Sequence, residues 1–353
     1  MKNKAAIISL SFPFAAGVTA AALTAEPFAC ALVSSVAAVF LICLCAMSSK
    51  RCVFLMQLLF FCLGVFCWCT DALCPRPSVS SFRLDSLADS LEALLDRIPF
   101  TGDHSNAIIK ALLTGRKDSL PKETLNVFRK SGAAHILALS GLHLGVIYAC
   151  LRKLLGLFGN SMAARTVQSS LTVAACGLYS AATGASPSIV RAFLFIVLNE
   201  TGRALSGRAH SPLGTFCLAL TIQLAASPGI ISSTGFQLSY LSLLGITLLY
   251  PKLRGWYPET RKRDPLRAVW NSASLSFSCQ LFTAPLVWLR FRSLPLYFLI
   301  TNLIALPLTE VAIIGAAACA VLEATCGCPP LLASACGRVV ETIEFCLEAI
   351  ASL

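Results

Sequence analysis

Apolar residues in this chain come in blocks of about twenty, separated by short polar stretches, and no other feature restricts its fold as much. A helix needs roughly 20 apolar residues to cross about 30 Å of hydrocarbon while keeping its backbone hydrogen bonds internal. Read in order, the blocks give candidate spans at 5–25, 28–47, 53–70, 135–151, 166–182, 188–205, 211–227, 235–250, 269–289 and 295–318. Period-two alternation in spaced ten-residue strands is weak, which argues against a membrane barrel. Charged residues make up 13% of the chain, against roughly a quarter of an average soluble domain, so an ordinary soluble enzyme is excluded. The expected fold is all-α, a polytopic transmembrane helical bundle of about ten spans with a short extracytoplasmic segment.

Short cytoplasmic loops retain an excess of Lys and Arg, and this orients the spans. Lys2 and Lys4 place the N-terminus inside. Lys50 and Arg51 follow the second span, Arg152 and Lys153 the fourth, and Arg203 and Arg208 the sixth. Lys252, Arg254, Arg261, Lys262, Arg263 and Arg267 follow the eighth, while Arg290 and Arg292 run against the scheme. The first 25 residues also carry marks of a signal peptide, with small residues at Ala22 and Ala25, and either reading starts translocation the same way. Residues 71–134 then lie outside the cytoplasm. They hold nine basic and eight acidic residues, and from Asp85 to Ile98 leucines recur as on an amphipathic helix, so a solvated helical cap is expected. The formal charge of +11 therefore resides mostly on the loops, where it is chiefly topology signal. Near the end, Glu341, Glu344 and Glu348 lie opposite Val339, Val340, Ile343, Leu347 and Ile350, a stripe expected to form an interfacial helix on the inner surface.

The 17 cysteines mostly sit in or beside apolar blocks, where Cys acts as a small hydrophobe. Pairs such as Cys43 and Cys45, or Cys326 and Cys328, are one residue apart, too close for the usual zinc knuckle, and no metal site or cofactor is expected. Cys67, Cys69 and Cys74, near the outer end of the third span, are the group an oxidising compartment could bridge.

Polar groups inside spans mark either pathways or helix contacts, and four clusters stand out. The first, opening the fourth span, contains His135, Ser140, Gly141, His143 and Gly145. On a continuous helix Ser140 and His143 would be neighbours, with His135 about 80° around from His143. Gly141 and Gly145 would form a small-xxx-small packing pair. The second runs from Gly184 through Ser186, Pro187 and Ser188 to Arg191 and Ala192. Ser186 reads as an N-cap and Pro187 as the first helical residue, giving an outward helix start that favours anions. Arg191, one turn further in, either lines a path or snorkels. The third holds Gly235, Gln237 and Ser239, and the fourth joins Gln280 with Asn302 and Pro307. For each cluster, interhelical glue competes with a lining role.

In this order the four clusters resemble the signature segments of the competence domain of the ComEC family. These are a stretch ending Ser-Gly-Leu-His, then Gly-x-x-Pro-Ser-x-x-Arg-Ala, then Gly-Phe-Gln-Leu-Ser, then Asn-Leu-x-x-x-Pro, together covering about residues 100–320. The run from Ala111 to Ser131 is similar to the family segment that leads into the fourth span. The resemblance implies a bacterial inner-membrane, multi-pass channel for one strand of incoming DNA. It also implies an extracytoplasmic DNA receptor and a cytoplasmic ATP-driven helicase-like partner, with homo-oligomerisation left open. It casts His135, Ser140, His143, Ser186, Ser188, Arg191, Gln237, Ser239, Gln280 and Asn302 as path residues, and Gly141, Gly145, Pro187 and Gly235 as packing residues. The chain then divides into three spans (1–70), the extracytoplasmic segment (71–134), the channel domain (135–322) and the terminal amphipathic helix (323–353). The OB-type and metallo-β-lactamase-like domains of larger members find no match: 71–134 is too short and helical for a five-stranded barrel, and no His and Asp clusters follow residue 318. A reduced, non-enzymatic member is expected. Without a phosphate-binding Gly-x-x-x-x-Gly-Lys-Ser/Thr loop, its energy must come from a partner or a gradient. Rival readings are a secondary transporter of a small anionic solute, a hydrolase built on Ser140 and His143, and a scaffold without transport.

Overall fold

The computed structural model describes residues 2–24, 26–47, 53–75, 85–137, 140–159, 161–206, 211–258, 264–292, 294 and 297–352. Lys50, Arg51, Arg208, Arg261, Lys262 and Arg263, which entered the orientation argument, lie outside these residues, as does Ala25. The described elements are helical: α1 (Lys2–Ala22), α2 (Pro27–Met47), α3 (Val53–Leu73), α4 (Asp85–Leu95), α5 (Ser105–Thr114), α6 (Lys122–Lys130), α7 (Gly141–Leu155), α8 (Met162–Ala182), α9 (Pro187–Ser206), α10 (Pro212–Ala226), α11 (Thr234–Leu248), α12 (Tyr250–Arg254), α13 (Pro265–Phe291), α14 (Phe298–Thr325) and α15 (Pro330–Ala351). Their starts follow local chemistry. The Ser161, Ser211 and Asp264 side chains accept from the N–H of Ala164, Gly214 and Leu266, and Pro212 and Pro265 occupy first-turn positions where no N–H is needed.

Each of the ten apolar blocks contains a helix. By length and composition four are able to cross a membrane: Pro27–Cys45, Val53–Leu73, Gly141–Phe158 and Phe298–Thr325, with shorter apolar helices at Ile7–Ala22 and Pro212–Ala226. The chain forms two compact units, residues 1–81 with 194–240 and residues 82–193 with 241–353.

In the first unit α3 packs on α1 and α2, and α10 packs on α1. The α1–α3 contact is reciprocal at two glycines. A Cβ on Gly17 would overlap the Phe61 carbonyl oxygen, and a Cβ on Gly64 would overlap that of Phe14. Cys67 and Cys69 are separated by about 200° on α3, so one helix cannot bring them together. Cys67 donates to the Ala225 carbonyl at 3.5 Å and Cys69 is fully buried, which removes the bridge expected between these two.

The second unit is built on one apolar core. Leu95, Ile108, Ile109, Leu112 and Phe128 of the 85–130 region pack with Ala312, Ile313 and Ala316 of α14 and with Val340, Ile343 and Leu347 of α15. Outside it, Arg116 pairs with Asp89 and Glu92, and Lys110 with Asp96. The amphipathic stripe read from 339–350 is present, but its apolar side covers α5, α6 and α14 instead of lying free in an interface.

That packing also corrects the span count. α5 and α6 belong to 71–134, so α15 stands on the same side of the bilayer as that segment. Full crossings between residues 131 and 329 must then be even in number, whereas the ten-span scheme has seven. α14 accounts for the difference: 39% of its apolar window is buried in protein, against 17–22% in the other three. The tenth block is apolar because it is core beside α4, α5 and α15. In a cysteine-free variant, single cysteines at Lys122 and Leu331, both exposed, are expected to react with an impermeant maleimide from the same side of the membrane. Reaction from opposite sides would restore the seventh crossing.

Candidate functional site

Two helix starts in the second unit meet. α8 gives way to α9 through a turn with positive φ at Gly184 (79°) and Ala185 (46°), closed by the Ala185 N–H on the Ser180 carbonyl at 2.9 Å. Positive φ is free for Gly and strained for Ala, so surrounding packing must hold this reversal in place. It delivers Pro187 to the first helical position, and the Ser186 carbonyl accepts from the Val190 N–H at 2.9 Å. The Ser186 hydroxyl does not cap: Oγ is buried and bonds nothing among the described residues, contrary to the sequence expectation.

α7 begins at Gly141, so the fourth apolar block does not start as a helix at 135. Before it the chain turns, with the Ile136 N–H on the Ala133 carbonyl at 2.8 Å and His135 Nδ1 3.0 Å from the Gly132 carbonyl oxygen. His135 is exposed there and the helical angle to His143 does not apply. Ser140 is extended (φ −114°, ψ 163°), and its hydroxyl accepts from the Leu142 N–H at 3.2 Å. Its own backbone N–H donates to His143 Nδ1 at 3.2 Å. This is a capping box with His where Glu or Gln is usual. Because Nδ1 accepts, the ring proton is on Nε2, and that atom is buried with no partner among the described residues. Ser140 and His143 are thus neighbours, but the contact runs through the backbone and not from hydroxyl to imidazole. The nucleophile–base pair of a hydrolase is not formed.

The starts are joined directly. The Gly141 N–H donates to the Ser188 hydroxyl at 3.3 Å. A Cβ on Gly141 would lie 3.0 Å from Arg191 Nη2 and 3.2 Å from the Ala192 Cβ. Gly141 therefore carries a close approach, whereas Gly145 has nothing within 4 Å and Gly235 meets only Ser233 Oγ at 3.8 Å, which removes both from the packing set. Arg191 is half-buried and lies near Cys279 of α13, the neighbour of half-buried Gln280. On α14, which packs on α7, Asn302 Oδ1 is buried without a partner among the described residues. The adjacent Thr301 hydroxyl donates to the Ser131 carbonyl at 2.6 Å and ties the start of α14 to the chain leading into α7.

The second unit thus gathers Ser140, Gly141, His143, Ser188 and Arg191 by contact, with Asn302 on a helix packed against α7. Gln237 and Ser239 belong to the first unit. There Gln237 Nε2 donates to the Ile231 carbonyl at 2.8 Å, closing the turn ahead of α11, and Ser239 is buried beside Tyr240. The Tyr240 hydroxyl donates to Gln223 Oε1 at 2.9 Å, between the rings of Phe216 and Phe236. These polar groups serve a local turn and an aromatic core. Arg290 and Arg292 are exposed at the end of α13. Two residues escaped the sequence reading: Thr301, and Glu200, which is 1% exposed with Oε1 3.5 Å from Arg203 Nη1. Glu200 had a signal, as the only carboxylate inside the sixth block.

A family model described as Competence protein matches residues 112–353. ComE operon protein 3 of Bacillus subtilis (strain 168) is 30% identical over 171 residues, 47% of this chain and 21% of that protein. The uncharacterized protein YcaI of Escherichia coli (strain K12) is 28% identical over 235 residues, 65% of this chain and 30% of its own length. Recombination protein 2 of Haemophilus influenzae is 27% identical over 217 residues, 57% of this chain and 26% of its own. The matches span between 21% and 30% of the length of these three relatives. No solved structure matches.

Proposed function

The chain belongs to the competence protein family and is a competence-related membrane protein, and from that premise we propose that it is a multi-pass inner-membrane component of the channel that carries single-stranded DNA into the cell. The observation behind this reading is the junction of α7 and α9. Two helix starts, a guanidinium, and three buried polar atoms without partners among the described residues (His143 Nε2, Ser186 Oγ, Asn302 Oδ1) belong to helices of one unit. Buried polar atoms without partners are unfavourable unless water or a ligand satisfies them. A strand held mainly through its phosphates fits donors such as Nε2–H and Arg191. A DNA receptor outside and an ATP-driven helicase-like protein inside complete the proposal, because the chain carries no phosphate-binding loop of its own. We expect no hydrolytic step on this chain, since the Ser140 hydroxyl and His143 Nδ1 are both engaged with backbone N–H groups.

The test is deletion of the gene in its host, with DNA bound at the surface, DNA internalised and transformants scored separately. Surface binding near the parental level with internalisation lost is the expected result. Internalisation at the parental level would end the channel reading, and loss of surface binding would assign the chain to capture instead.

A further inference from the structure

The turn between α14 and α15 is closed by its own polar groups. The N–H groups of Cys326 and Gly327 both donate to the Leu322 carbonyl, at 2.8 and 2.9 Å, and Gly327 has φ 89°, the left-handed conformation that ends many helices. The Cys328 N–H then reaches back to the Glu323 carboxylate at 2.8 Å. Residue 328 is thereby folded over the last turns of α14, and its thiol comes within hydrogen-bonding reach of Cys319, one turn before Glu323. Cys319 is fully buried and Cys328 half-buried, and both belong to the core that α15 covers. The other nearby thiols are placed differently: Cys336 donates to the Ala312 carbonyl at 3.7 Å, and Cys326 is exposed at the tip of the turn.

We propose that Cys319 and Cys328 form a disulfide that fastens the α14–α15 turn. The proposal rests on the topology derived above, in which this turn shares the extracytoplasmic side with residues 71–134, because disulfides persist in oxidising compartments. The oxidant is a disulfide-bearing thiol oxidoreductase of that compartment. Cys328, the accessible partner, loses its proton and attacks one sulfur of the oxidant, whose other sulfur leaves as a thiolate and takes up a proton. The Cys319 thiolate, formed by loss of its own proton, then attacks the Cys328 sulfur of the mixed disulfide. The second oxidant sulfur is released as a thiol. Two thiols are oxidised by two electrons, and the oxidant becomes a dithiol. The bond would hold α15 on its core from a position where Cys319 is sheltered from reductants.

Free thiols are titrated with a polyethylene-glycol maleimide in acid-quenched, denatured, unreduced full-length chain from host membranes. Replacing one member of a disulfide frees the other, so Cys319→Ser and Cys328→Ser are each expected to raise the number of reactive thiols by one relative to the parent. A fall by one in either variant overturns the proposal. A second chain, retaining only these two cysteines, is expected to take up no maleimide before reduction and two equivalents after it. Two equivalents before reduction also overturn it. The cysteine at Leu331 separates the two ways of failing. Free thiols with Leu331→Cys labelled from outside refute the pairing alone, whereas labelling of Leu331→Cys only from the cytoplasm refutes the topology and the pairing with it.

Discussion

Arg191→Gln is expected to lower transformation frequency about tenfold or more at matched membrane abundance, with Arg191→Lys in between. The guanidinium lies over the first residue of α7, with Nη2 3.0 Å from where a Gly141 Cβ would be, and the Ser188 hydroxyl that receives the Gly141 N–H is one turn before it on α9. From there a planar fork can make two parallel bonds to a phosphate, whereas Lys offers a compact point charge. Loss of a hydrogen bond to a charged group is worth about 1.5–3 kcal/mol, and a tenfold change corresponds to about 1.4 kcal/mol. A snorkelling anchor behaves differently, since Lys replaces it fully and Gln nearly so. Equal frequencies for Arg, Lys and Gln would remove Arg191 from the site and reduce the junction to a packing contact.

The larger effect on the fold is expected at the α1–α3 crossing. A Cβ on Gly17 or Gly64 meets a backbone carbonyl of the facing helix, and a carbonyl cannot swing aside as a side chain can. Overpacking of this kind typically destabilises by about 1–3 kcal/mol, a large share of a marginal total of about 5–15 kcal/mol. Gly17→Val and Gly64→Val should each lower the melting temperature of the detergent-purified protein and its abundance in membranes. Gly145→Val, at a position with open space around it, should change neither. If the melting temperatures of all three variants match the parent, the two helices do not approach as closely as described.

What could be read beforehand depended on whether the cause lay within a few residues. Pro187 at a helix start and the Ser140-to-His143 proximity were legible because caps and turns are local chemistry. The cap itself was not read correctly: Ser140 and His143 bond through backbone and ring, and Ser186 leaves its hydroxyl unused. Block 135–151 looked helical from its start because Ile136 and Leu137 are apolar, yet they are apolar for the core of the second unit, not for lipid. The same ambiguity misplaced α14. Hydropathy records that a side chain avoids water and is silent on whether protein or lipid receives it, so the partner of the 339–350 stripe was invisible until α5 and α6 were seen against it. Gly17 and Gly64 are 47 positions apart, and nothing in either neighbourhood names the other.

The histidine in the α7 capping box has an electrostatic consequence. In the usual box the third residue is often a glutamate, whose carboxylate satisfies the orphan N–H and at the same time neutralises part of the charge of roughly +0.5 at a helix N-terminus. An imidazole that accepts through Nδ1 is neutral, so here the N–H is satisfied while the charge stays uncompensated. Neither α7 nor α9 has an acidic residue in its first turn. Two uncompensated positive ends therefore meet at the Gly141–Ser188 contact, with a guanidinium beside them, in surroundings that screen charge far less than water. The junction is locked as a structure and still holds a standing positive potential, which only an anion from outside the fold can discharge.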